Sequence, residues 1–273
     1  LDAFKGMKGT LDIAGGTAHI PVMKEAAKRI MTANPDIRIT VAGGGSGVGV
    51  QQVGEGLVQI GNTGRPLKDK EIEKFGLKTF PFAIDGVALV VNPANNVSDI
   101  TAQQAADIYN GKITNWKEVG GEDLAIVPFQ RGEDSGSQTL FRKLLIQGGE
   151  LMDPPTELAP AAMGELVDSI AAYNNSANAI GFSVYYYIDQ MYSQPGLRLL
   201  AVDGVTPSND TIASESYPLC NEFYAVLHAD AAADSPERQL YDWLDTAAGQ
   251  DCIKKSGYVA VAPATGTTVD RSC

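Results

Sequence analysis

A two-lobed α/β fold is predicted by three observations. Near the N-terminus the chain alternates strand-like and helix-like runs in a βαβαβ order, which implies a parallel sheet with helices on its faces. Turns rich in glycine and hydroxyl residues join those runs. Two extended apolar runs, residues 82–93 and 217–227, are longer than one sheet needs and bracket a second α/β stretch, so they read as connections between lobes.

Each element has its own signal. Residues 10–14 form a strand, and residues 20–30 carry an amphipathic helical pattern with Pro21 in the first turn. Residues 37–41 alternate as a strand. Residues 48–56 form a weaker helical pattern, because glycine lowers helix propensity, and residues 57–61 return as a strand. In the second stretch a helix is expected near residues 101–109, a strand at 125–130 and a helix from 138 to 145, followed by a surface loop at 148–160. The helical segment 238–256 completes the first lobe, which is therefore discontinuous. Lobe I is expected to comprise residues 1–87 and 218–273, and lobe II residues 88–217.

Composition narrows the function. The 273 residues are 44% hydrophobic, which supports a globular chain with two cores. With 21 Lys and Arg against 33 Asp and Glu, the net charge of −12 opposes extended contact with nucleic acid or anionic lipid. It does not oppose a small anion, because aimed dipoles and one arginine dominate over charges screened beyond about 10 Å. No apolar stretch approaches the roughly 20 residues of a membrane span. Two histidines, His19 and His228, and three cysteines without CxxC spacing give no metal cluster. Cys220 and Cys252 read either as two thiols or as a disulfide, which would close a loop of about 30 residues and contribute roughly 3–4 kcal/mol.

Three turns carry the chemistry: Gly15-Gly16-Thr17, Gly43-Gly44-Gly45-Ser46-Gly47 and Arg131-Gly132-Glu133-Asp134-Ser135-Gly136-Ser137. Each falls between a strand and a helix start, where unpaired N–H groups and partial positive charge favour an oxyanion. Arg131 adds bidentate charged donors, and Ser46, Ser135, Ser137 and Thr17 add hydroxyls. Taken singly, Thr17 reads first as a helix cap, and Ser135 reads equally as a cap or a ligand donor. The glycine run fits neither GxGxxG nor a P-loop, and Val48 breaks the GxSxG pattern of a hydrolase nucleophile. Ser135 beside Arg131 keeps a serine-dependent phosphate-ester hydrolase as the rival from another class, although the chain offers no evident activating base.

The phrases AGGTAHIP, GGGSGVGV, IGNTGRPLKDKE, DGVALVVNP, IYNGKITNWKEVGG, RGEDSGSQTLF and SGYVAVAP, in that order, resemble the phosphate-binding proteins of bacterial ABC transporters over nearly the whole chain. The resemblance implies a type II periplasmic-binding-protein clamshell, with each lobe a mixed, mostly parallel sheet flanked by helices and two extended hinge strands between them. It implies capture of inorganic phosphate in the cleft and delivery to a membrane permease, without catalysis, cofactor or metal. It also implies a monomer outside the cytoplasm, in a periplasm or on the outer face of the cell membrane through a lipid anchor not present in this chain. Arsenate, sulfate or phosphonate are the alternative ligands.

By position, the resemblance carries phosphate contacts onto Thr17, Ala18, Ser46, Arg131, Ser135, Gly136 and Ser137, with serine at 137 where threonine is often found. It also exposes a departure: some members place a buried aspartate where this chain has Gly64. Hydrogen phosphate carries a proton at neutral pH and sulfate does not, so a selective site wants a carboxylate acceptor. Asp85 is expected to supply it, with Glu133 and Asp134 as alternatives. The competing reading of Asp85 is a strand-end residue paired with Arg131 or Arg65.

Overall fold

The computed structural model describes residues 1–16, 19–132, 136–160, 163–172, 176–185, 187–191, 196–256 and 258–260. The chain divides into unit 1, Leu1–Ile84 with Asn221–Cys273, and unit 2, Asp85–Cys220.

Unit 1 opens with β1 (Gly9–Gly15), α1 (Ile20–Ala33), β2 (Ile37–Ala42), α2 (Ser46–Gly54), β3 (Ile60–Thr63) and α3 (Asp69–Phe75), then enters β4 (Leu77–Val91). The βαβαβ expectation holds: β1 pairs in parallel with both β2 and β3. Residues 57–59 stay outside β3, because the chain turns at Gly56, whose φ is +72°, and leaves Leu57 63% exposed.

Unit 2 continues β4 and adds β5 (Asp99–Ile100), α4 (Ala102–Tyr109), β6 (Val127–Pro128), α5 (Gly136–Phe141), α6 (Met163–Ala172), β7 (Ala179–Val184), β8 (Arg198–Leu199), β9 (Ala201–Val202) and α7 (Asn209–Ala213). Thr101 caps α4, accepting from Gln104 N–H while the Gln104 side chain accepts from Thr101 N–H. The strand expected over 125–130 contracts to β6, and α5 begins two residues early and passes into a π-helical turn at Arg142–Ile146. In this unit β4 is flanked by β7 and β8, both antiparallel, and β7 runs parallel to β6. Val90, Phe129, Leu166, Val167, Ile170 and Ala179 form one core, while Phe141 stacks on Phe182 with ring centres 4.0 Å apart.

The chain returns to unit 1 through β10 (Cys220–His228) and ends in α8 (Pro236–Leu244), α9 (Ala247–Ser256) and β11 (Val259–Ala260). One helical segment expected over 238–256 is thus two helices. The break falls at Thr246, whose hydroxyl donates to Trp243 O and accepts from Gly249 N–H. In unit 1 the strand order is β2-β1-β3-β10-β4, with β11 also on β4, and β10 is antiparallel to β3. Its main core packs α1, α8 and α9 on one face of this sheet, and Val50, Val53, Leu77 and Val226 form a second cluster with α2.

Cys220 and Cys252 are free thiols. Cys220 Sγ lies 3.0 Å from Tyr217 O in unit 2, whereas Cys252 is buried in the unit 1 core, so the disulfide alternative falls away.

Candidate functional site

In unit 1 the parallel register brings the carboxyl ends of three strands together: Ala14 faces both Ala42 and Gly61, and Gly15 faces Asn62. Ligands of parallel α/β sheets sit at that end. The turns there are tied by backbone bonds, Gly16 N–H to Asn62 O at 3.0 Å and Gly45 N–H to Gly15 O at 3.0 Å. Ser46 opens α2, and its Oγ accepts from Gly64 N–H at 3.0 Å, which fixes the oxygen and leaves its own O–H to donate. The helix start itself adds unpaired N–H groups.

The glycines of this turn do more than weaken a helix. A Cβ at Gly49 would lie 2.7 Å from Gly15 Cα and 2.9 Å from Ala14 O, so only glycine lets α2 press onto β1 and β3. Gly64 differs: a Cβ there would meet nothing closer than Asn221 Nδ2 at 3.6 Å. His19 is buried beside this end, its ring 4.5 Å from that of Phe223, with Nε2–H donating to Thr63 O at 3.1 Å. It serves packing at the entry to α1. Arg65 is held within unit 1 by a two-pronged pair with Glu71, at 2.8 and 3.0 Å, which holds the Glu71 carboxyl below its usual range.

Unit 2 carries the charged donor. Arg131 follows β6, and its Nη1 donates to Ser137 Oγ at 3.2 Å in the first turn of α5. Its backbone N–H donates to Gln138 Oε1 at 3.0 Å. Gln138 Nε2 in turn donates to Gln130 Oε1 at 3.0 Å, and Gln130 Nε2 to Met152 O at 2.7 Å. This buried amide chain braces the loop, and no periodic pattern in the sequence signals it, because its members lie in a strand end, a helix and a loop. Gly136 begins α5.

Asp85 lies on β4 in unit 2, 7% exposed, with Oδ1 accepting from Gly86 N–H at 2.9 Å. Burial pushes its carboxyl up to about 7, and the Gly86 bond works weakly the other way. Among the described residues it has no ion-pair partner, so the pairing with Arg131 or Arg65 is not made. Thr17, Ala18 and Ser135, together with the alternatives Glu133 and Asp134, lie outside the described residues. The structure therefore joins Ser46 to Gly64 in unit 1 and Arg131 to Ser137 in unit 2, and places Asp85 and Gly136 in unit 2. Among the described residues no group of three or more His, Cys, Asp or Glu is placed to hold a metal, and no helix is long and apolar enough to cross a membrane.

Comparison with known proteins places this geometry in a lineage. Residues 6–246 match the model of the PBP superfamily domain. The phosphate-binding protein PstS of Bacillus subtilis is 34% identical over 95% of this chain and 84% of its own length. Among solved structures, PstS from Borrelia burgdorferi superposes with a TM-score of 0.81 at 26% identity, covering 93% of this chain and 99% of that one. A phosphate ABC transporter substrate-binding protein from Clostridium perfringens, solved with bound phosphate, gives 0.64 at 30% identity, covering 93% and 100%. Family model, sequence and α/β fold agree, and this chain belongs to the PBP superfamily and, within it, to the family of the PstS phosphate-binding proteins.

Proposed function

We propose that this protein captures inorganic phosphate outside the cytoplasm, as a monomer, and passes it to the permease of an ABC transporter without altering it. The phosphate ligands are Thr17, the Ala18 backbone, Ser46, Asp85, Arg131, Ser135, Gly136 and Ser137. The observation that carries this reading is the fixed pair of donor groups in different units, Ser46 at the start of α2 and Arg131 with Ser137 at the start of α5. The names of the relatives support the identity of the anion. Because the ligands are divided between two units, phosphate stabilises the conformation in which both reach it, and that conformation is what the permease reads. Small-angle scattering that shows the same radius with and without phosphate would oppose this part.

Asp85 is the proton acceptor of the site. As a carboxylate it accepts from hydrogen phosphate and repels sulfate; once protonated it donates instead, and sulfate is no longer repelled. Its elevated pKa of about 7 puts the change within reach of experiment. Calorimetric titration of ligand-stripped protein is expected to show 1:1 phosphate binding that ignores excess sulfate at pH 8 and yields to it at pH 5.5. Arg131→Ala should weaken phosphate by roughly two orders of magnitude, as expected for losing a charged donor to a desolvated anion. If Asp85→Asn keeps native sulfate rejection at pH 8, the acceptor is another residue. Turnover of a chromogenic phosphate ester would replace the carrier reading with the hydrolase.

A further inference from the structure

β2 is the outer strand of the unit 1 sheet: among the described residues its ladder runs to β1 alone. Successive residues of a strand turn their backbone groups to opposite sides. Gly9 N–H bonds Asp36 O at the start of the β1–β2 ladder, so Arg38, Thr40 and Ala42 bond toward β1 and Ile37, Ile39 and Val41 turn theirs to the other side, where Ile37 N–H is taken by Asn34 O at 3.3 Å. The outward Ile39 N–H is met only by a thioether, Met31 Sδ at 3.3 Å, a weak acceptor on a flexible side chain.

Beside this edge α1 leaves a groove of about 440 Å³. Ala27, Met31, Ile39 and Val41 give it an apolar floor, and Lys24 and Lys28, one helical turn apart, line its rim. Both lysines are exposed and neither has an ion-pair partner among the described residues, whereas the neighbouring Glu25 and Arg29 are engaged with each other and Arg29 with Asp251 on α9. The rim is thus locally cationic in a chain of net charge −12.

We propose that this edge and groove receive an extended acidic segment of a partner protein, added as a further strand on β2. Only a peptide backbone matches the outward carbonyls of Ile37, Ile39 and Val41 alternating with the N–H groups of Ile39 and Val41, which a lipid or a small organic anion would leave unused. Its apolar side chains cover Met31 and Val41, and its carboxylates meet Lys24 and Lys28. A second copy of this chain is the wrong occupant, because strand pairing between copies would set lysine rims against each other; exposed edges are commonly guarded in this way. Displacing the Met31 sulfur gives up one weak bond for a full backbone hydrogen bond at Ile39.

The test uses a fluorescent peptide of Glu-Glu-Val-Val repeats, with Lys-Lys-Val-Val repeats as control, and anisotropy as readout. The acidic peptide should bind the native protein and the basic one should not. Lys24→Glu/Lys28→Glu should weaken binding by about tenfold or more, since attraction is replaced by like-charge repulsion. Val41→Pro removes an outward N–H and no bond of the β1 ladder, so it should abolish binding while phosphate titrates normally. No binding of the acidic peptide, equal binding of the basic one, or native binding by Val41→Pro would each overturn the proposal. So would sedimentation showing native dimers that Val41→Pro dissolves, which would make the occupant a second copy.

Discussion

Asp85 shows how one buried residue ties stability to pH. Its folded pKa, raised to about 7 from an ordinary value near 3.8, means that the native state holds a proton which the unfolded chain has released. Stability must therefore fall as pH rises from about 4 to above 7, by up to about 4 kcal/mol at this site before solvent relaxation reduces it. Asp85→Asn is expected to flatten that slope and to unfold at a higher temperature than the native protein at pH 8 without ligand; thermal melts across this range decide it, and equal slopes would mean that Asp85 is hydrated. Gln138 acts at one remove. Gln138→Leu leaves Arg131 N–H and Gln130 Oε1 without their partner, so a loss of about 1–3 kcal/mol in stability is expected. Loss of phosphate affinity alongside it would mark Gln138 as the residue that positions Arg131. The turns that hold Ser46, Arg131 and Ser137 were legible in sequence because glycine, serine and arginine crowd into short segments. The brace was not, since Gln130, Gln138 and Met152 meet only after folding, and Arg65 with Glu71, six apart across a loop, follows no helical spacing.

At the scale of elements, periodicity identified α1 and β2, where one face is buried and the other is more exposed. It failed on β4. Its burial is nearly unbroken from Thr79 to Val91, so there is no alternation to read, and Pro81 masked its first half. The α2 glycines teach the opposite lesson, because propensity and packing disagree in sign there. Gly49→Ala should gain up to about 1 kcal/mol on helix propensity alone. Contacts of 2.7–3.0 Å to the backbones of Gly15, Ala14 and Asn62 cannot yield as a flexible side-chain tip would, so overpacking of about 1–3 kcal/mol should win. A lower denaturant midpoint with weaker phosphate binding, as Ser46 is pushed off β1, is the expected result; a higher midpoint would show that α2 moves freely.

For the whole molecule, the two extended runs and the late return of helices made a discontinuous first unit readable, because apolar runs of that length need a partner on each side of a boundary. Strand order was beyond sequence: nothing local says that β10 lies between β3 and β4. That placement has a consequence for synthesis. A chain that has emerged only as far as Val91 holds the strands that will flank β10, yet no strand to fill the gap, whereas the segment Asp85–Cys220 is contiguous and self-contained. Unit 2 should therefore fold first on a growing chain, with the segment before it kept waiting unfolded, its apolar strands exposed, until the whole of Asp85–Cys220 and then β10 have been made. Isolated residues 85–220 are expected to melt cooperatively and isolated residues 1–84 to stay unfolded. Chaperone demand would then fall on residues 1–84, because they are made before unit 2 and completed after it.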